Sequence, residues 1–191
     1  AETPNLDALI ANGLFSPDAL NGDITMSGPG WSSILCGVQS DQHGVTDNSF
    51  SGSNYDLYPS FLKRLETWNS SLHTASICHW GPINDYIVLD GADDIINVSS
   101  DEAVRDIAVQ LLSSDDPDAI FLHFDDVDIT GHGNGYGVNI APYIAAIEGV
   151  DALIGDVLSA LESRDNYAAE NWGIIVTTDH GGIGFGHGGN S

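Results

Sequence analysis

The stretch that most constrains this chain is residues 172–189, W-G-I-I-V-T-T-D-H-G-G-I-G-F-G-H-G-G. Ile174, Ile175 and Val176 form an apolar, β-branched run of the kind found inside a parallel sheet. The run stops on Asp179-His180, and a glycine-rich loop follows that carries His187. In open α/β sheets, ligands bind beyond the carboxyl ends of strands. Carboxylate and imidazole suit zinc and similar divalent ions, so this stretch predicts a metal site. The alternative is that Asp179 caps a turn and the histidines are solvated.

The same pattern recurs upstream. Residues 119–124, A-I-F-L-H-F, read as a buried strand ending in Asp125, Asp126 and Asp128. A glycine-rich loop, G-H-G-N-G-Y-G, follows and contains His132. Residues 141–162 read as a long helix, with Ile144, Ile147, Val150, Ile154, Val157 and Leu161 at three- and four-residue steps. Residues 101–112 read as an amphipathic helix, 58–68 as a helix and 74–80 as a strand. Residues 83–98 hold a short helix and a short strand, 39–53 a polar loop and 15–20 a short strand. Strands alternating with helices predict one α/β domain over residues 1–191, a doubly wound, mostly parallel sheet sandwiched by helices.

Near the start, Thr3 precedes Pro4 and Gly13 closes a helix. Farther on, N-G-D-I-T-M-S-G-P-G-W-S-S-I-L-C-G places Pro29 to open a helix that ends at Gly37. Ser27 then sits just before a helix N-terminus, where N–H groups and the dipole favour an anion. Taken alone, Ser27 is an N-cap; Thr25 lies farther from the helix start.

Charge excludes several functions. Four Lys plus Arg stand against 28 Asp plus Glu, a net charge of −24. No basic surface exists to displace counterions from nucleic acid, or to dock on an anionic membrane. No segment is long and apolar enough to insert into a bilayer. Such acidity suits a saline, extracellular or periplasmic setting. Alternatively, runs such as Asp93-Asp94 and Asp115-Asp116 form weak calcium sites at the surface. Cys36 and Cys78 form one bridge or remain two buried thiols, with the bridge preferred.

Asp128-x-x-x-His132, Asp179-His180 and His187 together supply five metal-type ligands. Two divalent ions a few Å apart would clamp a phosphoryl group. Collinear with these runs are T-P-N-L-D-A-L-I-A-N-G, S-G-P-G-W-S-S-I-L-C-G-V-Q-S-D-Q-H-G-V-T-D-N, D-V-D-I-T-G-H-G and T-T-D-H-G-G-I-G-F-G-H-G-G. In that order they resemble the alkaline phosphatase superfamily, in its type I phosphodiesterase/nucleotide pyrophosphatase and sulfatase-like branch.

The resemblance implies two metals, usually zinc, a small phosphorylated substrate and a covalent phospho-enzyme. By position, Ser27 matches the nucleophile and binds the second metal with Asp179 and His180. Asp128, His132 and His187 match the ligands of the first. The family also has an initial strand ending in an Asp that binds the second metal, and a further strand after the His187 loop. Neither is in this sequence, so it is expected to be an internal portion of a longer protein, with a partner segment or chain completing the fold.

Two departures narrow the branch. Ser27-Gly28-Pro29-Gly30 is followed by Trp31, where sulfatases have Arg, and Gly30 stands where nucleotide pyrophosphatases carry Asn. A sulfatase or phosphonate hydrolase, or a non-catalytic domain with an incomplete metal site, is the alternative reading. His43, His73, His79 and His123 are expected to be structural.

Overall fold

A computed structural model describes residues 1–17, 20–22 and 24–188. Its centre is β1 (Thr74–Cys78), whose five residues are all buried. β1 is flanked in parallel by β2 (Asp94–Asn97) and β3 (Ala119–His123), in the order β2-β1-β3. The chain is thus α/β, with helices packed around a parallel sheet.

The helices are α1 (Pro4–Asn12), α2 (Ser27–Cys36), α3 (Ser40–His43), α4 (Phe61–Trp68), α5 (Asp101–Ser114), α6 (Asp126–Asn134) and α7 (Ala141–Glu162). Local chemistry starts two of them: Ser60 accepts from the Lys63 amide at the head of α4, and Ser100 from the Ala103 amide at the head of α5. A π-helical turn, Ile83–Val88, runs beside β1. Its Asn84 is buried and accepts from the Ser76 hydroxyl at 2.6 Å, so this polar pair inside the core is satisfied.

One apolar cluster joins α2 and α4 to the β1 end and the π turn through Leu35, Leu62, Ile83 and Val88. A second, with Ile77, Val104 and Ala108, fixes α5 on the other side of the sheet. Each buried aliphatic side chain contributes about 1.5–3 kcal/mol.

Several sequence expectations give way. Residues 174–176 join no strand; Ile175 is 90% exposed, and Ile174 and Val176 are about half exposed at 45% and 51%. An apolar run becomes a strand only when a neighbouring segment supplies ladder partners on at least one edge, and none flanks this one among the described residues. Residues 15–17 and 20 form no strand either, and Asp18 and Ala19 lie outside the described residues.

The glycine-rich run after β3 is helical through Asn134, because α6 packs against α7, and only Gly135 with its positive φ of 99° ends it. The polar loop at 39–53 contains α3, whose His43 is buried. α2 starts at Ser27, two residues before Pro29, so Ser27 lies in the first turn rather than ahead of it. Finally, Cys36 and Cys78 are both free and buried rather than bridged. Burial pushes each thiol up to about 12, so neither is a thiolate near neutrality.

Candidate metal centre and nucleophile

α6 presents Asp128 and His132 one helical turn apart, on one face. The short antiparallel hairpin β4 (Gly182–Ile183) and β5 (Gly186–His187) folds over them and delivers His187. His132 Nε2 lies 3.2 Å from His187 Nε2 and 3.5 Å from Asp128 Oδ2. Donors each about 2.1 Å from a tetrahedral ion stand about 3.4 Å apart, so these two separations match the ligand spacing of zinc, and all three donor atoms lie within 4.8 Å of one another. In addition, the His132 Nδ1–H donates to the Phe185 carbonyl at 2.9 Å, which leaves its Nε2 lone pair facing the centre. Two lone pairs so close repel each other unless a cation or proton lies between them.

Asp128 is oriented by a residue the motifs do not single out as a partner. The Tyr136 hydroxyl donates to Asp128 Oδ1, turning Oδ2 toward His132. Tyr136 is held by two glycines, Gly131 and Gly182, where a Cβ would meet its ring at 2.2 Å. Burial, then the hydrogen bond to Asp128, raises the Tyr136 hydroxyl, so it stays a donor. The sequence signal for this contact is its glycine company, G-H-G-N-G-Y-G.

The second group lies next to the first, with the His180 and His187 ring centroids 4.2 Å apart. His180 Nδ1–H donates to the Gly181 carbonyl at 3.2 Å, freeing Nε2. That Nε2 is 3.3 Å from Asp179 Oδ2 and 3.4 Å from Ser27 Oγ. Asp179 Oδ2 is buried with no hydrogen-bond partner. Burial, reinforced by the Asp128 charge, lifts this carboxyl to about 7. An orphaned, desolvated carboxylate beside a free imidazole nitrogen is what a cation would satisfy.

Asp179 reaches this position because α2 has a glycine against it. A Cβ on Gly30 would lie 2.9 Å from the Asp179 Cβ and 3.0 Å from its carbonyl oxygen. The absent side chain at Gly30 therefore has a steric reason. Asn48 caps α2: its Oδ1 accepts from the Gly28 amide at 2.7 Å, beside Ser27.

The remaining residues are structural. His123 is buried edge-on against Trp31, and its ring accepts from the Trp80 amide at 3.3 Å. His73 pairs with Asp94. Asp93 and Asp116 are likewise engaged, by the Thr74 amide and by Arg164. Among the described residues, neither acidic run belongs to a cluster of metal-type donors. Asp125 is pushed up to about 6 by burial, then by the Asp128 charge, while Asp126 turns toward His79.

The fold and these two groups define an α/β protein with metal-type donors gathered where β3 and residues 172–180 end. Residues 1–183 match the model of the metalloenzyme superfamily, and the chain belongs to that family. Two of its relatives fit the nucleotide pyrophosphatase/phosphodiesterase branch of the alkaline phosphatase superfamily. Bis(5'-adenosyl)-triphosphatase ENPP4 of Homo sapiens is 27% identical over 94% of this chain and 43% of its own length. A 2,3-bisphosphoglycerate-independent phosphoglycerate mutase of Staphylococcus aureus is 36% identical over 41% of this chain and 14% of its own.

Among solved structures, murine ectonucleotide pyrophosphatase/phosphodiesterase 5 superposes with a TM-score of 0.67 at 17% identity, covering 87% of this chain and 49% of that one. Phosphonoacetate hydrolase from Sinorhizobium meliloti gives 0.56 at 14%, covering 83% and 48%. The chain therefore spans about half the length of these relatives, apart from the mutase, where the match is shorter.

Proposed function

We propose that this chain is the metal-binding part of a hydrolase of phosphate monoesters or diesters that works through a phosphorylated Ser27. The observation that carries this is the convergence, on one face, of three zinc-spaced donors with Ser27 Oγ, His180 Nε2 and the orphaned Asp179 Oδ2. Asp128, His132 and His187 hold one divalent ion, and Asp179 and His180 hold the other beside Ser27. Zinc is the preferred identity, given the nitrogen-rich donor set.

When bound, such ions supply Lewis-acid stabilisation of phosphoryl oxygens and ease the loss of a hydroxyl proton. The chain supplies the geometry. Ser27, in the first turn of α2, gives up its hydroxyl proton to solvent and attacks phosphorus; the Oγ–P bond forms and the ester oxygen leaves as an alcohol, taking up a proton. Water then breaks the Oγ–P bond, restores the serine hydroxyl and releases phosphate from a monoester or a phosphate monoester from a diester. The α2 N-terminus faces the developing negative charge, steadied by Asn48 on the Gly28 amide. Lys63, Arg105 and Arg164 are held in ion pairs with carboxylates, which favours metals over side-chain cations as the phosphate clamp.

A small phosphorylated substrate accords with the names of the solved relatives, one in complex with AMP and one with phosphonoformate. The phosphonoformate complex makes a phosphonate substrate the runner-up. The exposed, unpaired run at 174–176 supports a further strand, from another segment or chain, lying alongside it to complete the sheet. No described helix is long and apolar enough to cross a membrane. The net charge of −24 supports a saline, extracellular or periplasmic setting.

The test is hydrolysis of an aryl phosphate monoester and diester with added zinc. Ser27→Ala should lower the rate on the order of a thousandfold while leaving zinc binding by the Asp128 group intact. Unchanged turnover in the variant would refute the nucleophile assignment.

A further inference from the structure

α6 carries two of the proposed ligands, yet it has no local cap. Its N-cap residue, Asp125, makes no side-chain cap bond. The first N–H groups of any helix need acceptors, and here they come from another helix. Asp101, at the start of α5 and fully buried, accepts the Asp125 amide on Oδ1 at 2.8 Å and the Asp126 amide on Oδ2 at 3.0 Å. Oδ1 also accepts His79 Nδ1–H at 2.8 Å, just past the end of β1.

One carboxylate thus joins the end of the central strand and the heads of two helices. Its charge is stabilised by both helix dipoles and by three donors. His79, Asp101 and Asp126 also lie close enough to be read as an ion site. Both Asp101 oxygens are already taken by main-chain N–H groups, however, and that pattern is a capping lock.

We propose that Asp101 is a positioning residue for the metal centre: by capping α6 from α5 it sets the angle at which Asp128 and His132 meet His187. Asp128 lies in the capped first turn, two residues beyond the Asp126 amide, and His132 one turn further, so a tilt at the head of α6 moves both donors together. This rests on the metal reading of Asp128, His132 and His187. The same device occurs at Asp151, a buried residue of α7 whose carboxylate accepts the Asn5 and Leu6 amides and caps α1. α1 carries no proposed ligand, so Asp151 is a natural control.

The experiment follows the imidazole NMR signals of His132 and His187 during zinc titration, in the wild type and in Asp101→Ala, Asp101→Asn and Asp151→Ala. Amide exchange of residues 125–134 is recorded without metal. Asp101→Ala should weaken zinc at this centre about ten- to a hundredfold and speed exchange in the first turn of α6. Asp101→Asn keeps one acceptor, should fall between Ala and wild type, and serves if the Ala variant does not fold. Asp151→Ala should destabilise the protein comparably yet leave zinc affinity at this centre unchanged.

Wild-type affinity in both Asp101 variants overturns the positioning role alone, as does an equal loss in Asp151→Ala. A wild type whose His132 and His187 signals ignore zinc overturns the metal reading and the positioning role together.

Discussion

Asp128 and His132 stand on a helix; Asp179 and His180 stand after a segment that pairs with nothing among the described residues. The first group is held on every side: Tyr136 turns Asp128, the Phe185 carbonyl fixes His132, and Asp101 caps the helix beneath them. The second reaches its position by contact with Gly30 and through the Asn21 side chain on the Asp179 carbonyl, and leaves a buried carboxylate oxygen without a partner. Preorganised ligands lose little freedom when an ion arrives; a desolvated, unpaired carboxylate is a standing cost that an ion relieves. The two groups should therefore respond differently to the same perturbations.

The sharpest contrast is between His132→Ala and Asp179→Asn. His132→Ala should weaken zinc at the α6 centre by more than about a hundredfold, since loss of an outer partner alone costs ten- to a hundredfold. Asp179→Asn keeps every α6 ligand and should change that affinity by less than about tenfold, yet make the metal-free protein more stable above pH 7, where the desolvated carboxyl, lifted to about 7, is charged. Thermal unfolding with and without zinc reads both. An Asp179→Asn protein less stable than wild type without metal would break the comparison.

A smaller effect comes from Tyr136→Phe, which deletes only the hydroxyl on Asp128. It should weaken zinc about tenfold at the α6 centre, read by chelator competition.

The smallest concerns His123, under the β3 end that feeds α6. Burial, then the nearby His79, holds its imidazole down to about 3, below its ordinary 6.5. The folded protein binds fewer protons than the unfolded chain between those values, so this stability is present above pH 6.5 and lost as pH falls toward 3. In the metal-free protein, His123→Phe should flatten the fall in urea midpoint between pH 7 and pH 4. An equally steep fall would show that His123 is not buried neutral.

How much of this was readable beforehand follows the same divide. The helix at 141–162 and the strand at 119–123 matched their periodicity because their partners lie within the described chain. The run at 174–176 reads as strongly as either, but strand formation depends on neighbours that periodicity cannot see. Spacing put Asp128 and His132 on one face only once 126–134 proved helical; its glycines, which spell a loop, instead make room for Tyr136. The remote cap of Asp101 left no local signal, since it joins residues 24 and 25 positions apart. The bridge expected of Cys36 and Cys78 failed because two cysteines carry no geometry in a sequence.

The most direct test of the account is anomalous diffraction at the zinc edge from crystals grown with zinc. A strong peak is expected bounded by Asp128 Oδ2, His132 Nε2 and His187 Nε2, and a second near Asp179 Oδ2 and His180 Nε2. A map with no peak among Asp128, His132 and His187, or with zinc only at His79, Asp101 and Asp126, would contradict it.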